Sequence, residues 1–106
     1  MQMHQIRYFL ALCEEKSFTL AAKRSGVSQP SLTNAIGALE RELGGMLFHR
    51  RPAIALTALG RAIAPYLQQI AGAADQACET ARSLVGPAMS EVAPLRQEAP
   101  GQCPSG

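Results

Sequence analysis

Tryptophan is absent from the 106-residue sequence, and aromatic residues make up only 5% of it. Any core must therefore be built from Leu, Ile, Val and Ala. Cysteine is scarce too: Cys13, Cys78 and Cys103 are odd in number and form no CxxC pair. Neither a disulfide framework nor a zinc site is indicated, and Cys13 and Cys78 fall at apolar helix positions as small hydrophobes. No stretch approaches the roughly 18 consecutive apolar residues of a membrane span. The first residues, Met1 to Arg7, lack an apolar segment behind a basic one, so a signal peptide is not expected. The expected location is the cytoplasm, with no membrane partner.

Catalytic arrangements are missing as well. There is no Ser/His/Asp or Cys/His pattern, no glycine-rich phosphate loop and no metal-ligand spacing around His4 or His49. The length allows one small domain with little room for a deep pocket. An enzyme is not expected, nor a cofactor or a metal.

What is present is a lopsided charge. The net charge is only +2, but residues 16–61 carry +5 and the remainder −3. Lys16, Lys23, Arg24, Arg41, Arg50, Arg51 and Arg61 face only Glu40 and Glu42 in that central section. A polyanion-binding surface needs this kind of asymmetry.

Periodicity supplies the fold class. Ile6, Phe9, Leu10 and Cys13 lie at helical spacing, predicting a helix over residues 4–15. Ser17 is placed to cap a short helix from Phe18 to Ser25, with Phe18, Ala21 and Ala22 inward. Gly26 suits the left-handed position after it, and Val27 plugs the turn. Ser28 is placed to cap a third helix, with Pro30 in its first turn, where a missing N–H costs nothing. Leu32, Ile36, Leu39 and Leu43 form its buried stripe, and Gly44-Gly45 ends it. Its other face carries Gln29, Thr33, Asn34 and Gly37. A glycine there costs about 1 kcal/mol relative to Ala.

Two short apolar runs, Met46 to Phe48 and Ile54 to Leu56, flank a basic, proline-bearing tip and predict a small hairpin. Thr57 can cap a long helix over residues 58–84, about 40 Å in length, which Pro65 should kink or disturb. Leu59, Ile63, Tyr66, Leu67, Ile70, Ala74, Ala77, Ala81 and Leu84 trace one apolar stripe along it. Such a stripe wants a second chain; of it, Leu59, Ile63, Leu67, Ile70, Ala74, Ala77 and Ala81 are the expected dimerisation residues. After Val85, four prolines and three glycines fill one third of residues 86–106, which predicts a disordered tail.

The expected architecture is mainly α: a winged helix-turn-helix of three short helices and a β-hairpin wing over residues 1–57, then a linker helix over 58–85. The third helix would offer its first turns to the DNA major groove, which admits an α-helix. Ser28, Gln29, Ser31, Thr33 and Asn34 supply donors and acceptors without bulk. Gln29 and Asn34 can pair with adenine edges, and Thr33 can bond a base or touch a thymine methyl. Arg50 and Arg51 at the hairpin can reach a phosphate or a minor groove.

Taken in order, Ser17 to Ala22, Val27 to Thr33, Ile36, Ala38-Leu39-Glu40, Leu43-Gly44, Leu47-Phe48, Arg50, Leu56-Thr57 and Gly60 resemble the LysR-type transcriptional regulators over residues 3–85. The resemblance implies a dimer that binds double-stranded DNA at an interrupted palindrome. It places Gln29, Pro30, Ser31, Thr33 and Asn34 at the groove, Thr19 near the backbone and Arg50 on the wing. Three positions depart from the family pattern. Residue 34 is often basic and residue 37 often polar or basic, but they are Asn and Gly here. The wing tip is short and lacks the usual glycine. Family members continue into an effector-binding domain, which this sequence does not contain, so small-molecule sensing is expected to be absent. An alternative expectation is a truncated regulator remnant, or an interaction protein without its own DNA affinity that forms mixed dimers with an intact homologue.

Overall fold

The computed structural model describes residues 1–85; the predicted tail lies outside the described residues. Six elements follow in order: α1 (Met3–Glu15), α2 (Phe18–Ser25), α3 (Gln29–Leu43), β1 (Phe48–His49), β2 (Ala55–Leu56) and α4 (Ala58–Val85). This is the mainly helical architecture that the apolar spacing predicts. Two compact units divide the chain, residues 1–68 and residues 69 onward, with α4 contributing to both.

In the first unit α1, α2 and α3 all touch one another. Their contact buries Ile6, Phe9 and Leu12 from α1, Ala21 and Ala22 from α2, and Leu32, Ile36 and Leu39 from α3. The two alanines explain how the short α2 sits close to its neighbours: a methyl group keeps helix axes near. Phe9 reaches across to Phe48 of β1, with ring centroids 5.3 Å apart and tilted by 48°. Phe9 and Phe48 are the two largest fully buried side chains among the described residues.

Helix ends follow local chemistry. Ser17 Oγ accepts the Leu20 N–H at 3.1 Å and starts α2. Gly26 ends it at φ 73°, and the Val27 N–H then bonds the Ala22 carbonyl at 3.0 Å. Lys16 closes α1 in the same left-handed region, at φ 53°, without being a glycine. Arg24 ties the end of α2 to the end of α1 through Glu14 at 2.6 Å and Glu15 at 3.2 Å.

The hairpin is minimal. Phe48 pairs with Leu56 and His49 with Ala55 in antiparallel register. Thr57 joins it to α4. Its N–H donates to the Leu47 carbonyl at 3.0 Å, its hydroxyl donates to the Met46 carbonyl at 2.7 Å, and the same oxygen accepts the Gly60 N–H at 3.0 Å. Helix α4 does not break at Pro65. Proline removes one N–H, so a single i−4 carbonyl loses its partner while the turns on either side keep theirs.

Candidate nucleic-acid interface

The start of α3 is built by Ser28. Its Oγ accepts the Ser31 N–H at 3.2 Å and donates to Ser31 Oγ at 2.9 Å. Pro30 follows within the first turn. Gln29, Pro30, Ser31 and Asn34 are exposed and Thr33 is half-buried, whereas Leu32, Ala35 and Ile36 on the other side are buried. One face of the helix therefore serves the core and the other presents small polar groups.

Helix α2 braces this end. Thr19 Oγ1 donates to Gln29 Oε1 at 3.0 Å. That bond fixes the Gln29 amide across the turn and leaves its NH2 donors pointing at no described residue. Its Oε1 keeps a second lone pair, so the amide can still offer both a donor and an acceptor. The sequence brings Thr19 into the picture only through the family resemblance; in the structure it is a direct partner of the predicted reading residue. The hydroxyls of Ser28 and Ser31 are engaged with each other. The side chains of Thr33 and Asn34 bond no described residue, and these two are the freest hydrogen-bonding groups on this face.

The wing supplies two arginines in different states. Arg50 lies 3.6 Å from Glu40 Oε1, and its guanidinium carbon stands 4.9 Å above the Phe18 ring. A cation over an aromatic face and beside a carboxylate is held between α2 and α3. Glu40 is itself only 7% exposed. Phe18, which the sequence assigns to the core, is half-buried and serves as this platform. Arg51, at the tip, is exposed and bonds no described residue.

The predicted dimerisation stripe divides. Leu67 is 1% exposed, so it is already buried within the chain and adds no area to a partner. Leu59, Ile63 and Ala74 are half-buried, while Ile70, Ala77 and Ala81 are exposed. The largest uncovered apolar groups of α4 are Tyr66 at 63%, Ile70 at 40% and Leu84 at 74%. Periodicity cannot separate these neighbours, because Tyr66 and Leu67 sit only about 100° apart on a helix.

Among the described residues no group of three His, Cys, Asp or Glu side chains could hold a metal ion. No helix among them is long and apolar enough to cross a membrane. Cys13 is partly buried, and desolvation, helped by the neighbouring Glu14 charge, pushes its pKa up to about 11. The thiol is therefore protonated at neutral pH and unsuited to nucleophilic work.

Comparison with known proteins agrees with this layout. Residues 3–61 match the family described as bacterial regulatory helix-turn-helix protein, lysR family. The regulator IlvR of Caulobacter vibrioides is 42% identical over 85 residues, covering 79% of this chain and 29% of its own length. BudR of Klebsiella aerogenes is 40% identical over 85 residues, covering 79% of this chain and 59% of its own. The chain thus spans less than two thirds of either relative. Among solved structures, the BenM DBD/catB site 1 DNA complex matches with a TM-score of 0.76 and 32% identity, covering 81% of this chain and 98% of that one. The CbnR DBD–DNA complex matches with a TM-score of 0.72 and 36% identity, covering 80% and 99%. These relatives are transcriptional regulators rather than enzymes. The family match over residues 3–61 and the identity to these regulators show that this chain belongs to the LysR family of bacterial regulators and carries its helix-turn-helix domain.

Proposed function

We propose that the protein binds double-stranded DNA sequence-specifically and regulates transcription as a homodimer on an interrupted palindrome. The observation that carries this reading is the polar front of exposed Gln29 and Asn34 with half-buried Thr33, on a helix whose opposite side buries Leu32, Ile36 and Leu39. In this reading residues 1–57 are the DNA-reading domain and residues 58–85 the dimerising linker. The amino-terminal turns of α3 enter the major groove, where Asn34 and Gln29 address base edges. Thr19, Ser28, Pro30 and Ser31 set the height of the helix over the groove, and Arg50 and Arg51 meet the sugar–phosphate strand beside it. A protein working on chromosomal duplex acts at the nucleoid, in the cytoplasm.

Dimerisation draws support from the uncovered Tyr66, Ile70 and Leu84 on α4. Two-fold symmetry would place a second α3 about one helical turn of DNA away, or a multiple of it. Selection of bound duplexes from a random pool tests the whole reading. The expected product is a split site with two-fold symmetry. A folded protein that retains no duplex would overturn it.

A further inference from the structure

We propose that Arg41 is an additional DNA-phosphate ligand, its guanidinium lying over Gly37 on the α3 face that carries Thr33 and Asn34. This inference rests on the DNA-binding reading above and adds to it a residue outside the predicted set.

Gly37 lies in the interior of the 15-residue α3 and has no positive φ. A Cβ built there would meet only one neighbour, Arg41 Nη1, at an ordinary contact distance of 3.6 Å. Pro30, Thr33, Asn34, Gly37 and Arg41 recur at helical spacing on one side, opposite the buried Leu32, Ile36 and Leu39. The Arg41 head therefore lies back along the reading face, over the gap that Gly37 leaves.

Its surroundings say what it lacks. Arg41 is exposed and makes no ion pair or hydrogen bond with a described residue. Both flanking carboxylates are committed elsewhere. Glu40 accepts the Leu47 N–H at 2.8 Å and pairs with Arg50, while Glu42 holds the amino terminus of Met1 at 2.8 Å. The positions three and four residues away are Gly37, Ala38, Gly44 and Gly45, which offer no acid. An arginine near a helix end often serves the terminal carbonyls. Here the guanidinium reaches backward, toward the previous turn, and leaves those carbonyls.

The ligand this position favours is a phosphate rather than a base. Gly37 is eight residues beyond Gln29, about 12 Å along the axis, which is the width of the major groove. A helix that enters by its first turn has reached the far strand there. The guanidinium fork matches a phosphate in two hydrogen bonds.

Binding isotherms by fluorescence anisotropy, over a series of salt concentrations, test this on a duplex selected by the protein and on a scrambled one. Arg41→Gln should weaken both by the same factor. The slope of log Kobs against log salt should fall in magnitude by about 0.9 for each protomer bound. Arg41→Lys should retain the slope. Gly37→Leu should fill the seat, displace the guanidinium and reproduce the Arg41→Gln slope, with circular dichroism confirming that each variant folds. An unchanged slope in Arg41→Gln overturns the proposal, as does a loss confined to the selected duplex, which would mark a base contact. Failure of the unaltered protein to bind either duplex would instead remove the DNA-binding reading beneath it.

Discussion

The carboxylate of Glu40 accepts the buried backbone N–H of Leu47 at 2.8 Å, joining the last turns of α3 to the strand that begins the wing. Leu47 is fully buried, so no water can replace this acceptor. The other Glu40 oxygen faces Arg50, 3.6 Å away. One side chain thus sets both the backbone and the cation of the wing.

Glu40→Ala should therefore cost about 1–3 kcal/mol, the penalty for a buried donor left without a partner. Glu40→Gln should cost less, because its amide oxygen can still accept the N–H. Urea unfolding of the two variants measures the difference. Equal stability of Glu40→Ala and the unaltered protein would mean that the Leu47 N–H is satisfied elsewhere. Release of Arg50 in Glu40→Ala should also weaken binding to every duplex without changing sequence preference.

Three glycines predict three different outcomes for alanine. At Gly60 a Cβ would run into the Leu47 carbonyl oxygen and come within 2.9 Å of Leu56 Cδ2, so the start of α4 must move off the wing. Gly60→Ala should be the most damaging, by roughly 3 kcal/mol or more, in the upper range for disruptive substitutions. Gly26 has open space but a φ of 73°, so Gly26→Ala should cost about 1–2 kcal/mol from backbone strain alone. Gly37 has ordinary room and ordinary helical geometry, and Gly37→Ala should stabilise by about 1 kcal/mol. Thermal unfolding of the three ranks them, and a stabilised Gly60→Ala would refute the contact with Leu47.

Cys13 gives a pH-dependent expectation. Burial raises its folded-state pKa to about 11, above the value of about 8.5 for a free thiol. Below that free value both states keep the proton and the stability is fully present. As pH rises from about 9 toward 11 the unfolded chain ionises first, and stability is lost. Cys13→Ala should remove this part of the alkaline decline. Iodoacetamide at pH 8 should also label Cys13 slowly in the folded protein and quickly in urea; equal rates would show an open thiol.

Much of this fold was legible because local chemistry and global packing agree. Ser17, Ser28, Gly26 and Gly44 mark helix ends that the structure places where their side chains or their φ require. The Leu32, Ile36 and Leu39 stripe predicts the buried side of α3, and its complement predicts the polar front. What spacing could not reveal was tertiary. The anchoring of Arg50 on Phe18, the Thr19–Gln29 bond and the burial of Leu67 each depend on residues far apart in sequence or on which side of α4 meets the core. At Pro65 the helix runs on, since one lost hydrogen bond is small against a 28-residue helix.

The division of labour on α3 can be separated by comparing two kinds of duplex. Asn34 is exposed and bonds no described residue, so its amide is available for a bidentate contact with adenine. Asn34→Ala should cost about 1–3 kcal/mol on the selected site and relax preference at one base pair per half-site, with little change on random duplex. Arg51→Ala, at the exposed wing tip, should weaken both duplexes alike and reduce the salt slope by about 0.9 per protomer. If Asn34→Ala lost equally on both duplexes, the residue would be meeting the backbone, and base reading would fall to Gln29 and Thr33. The two variants should add when combined, since a base edge and a wing phosphate share no partner.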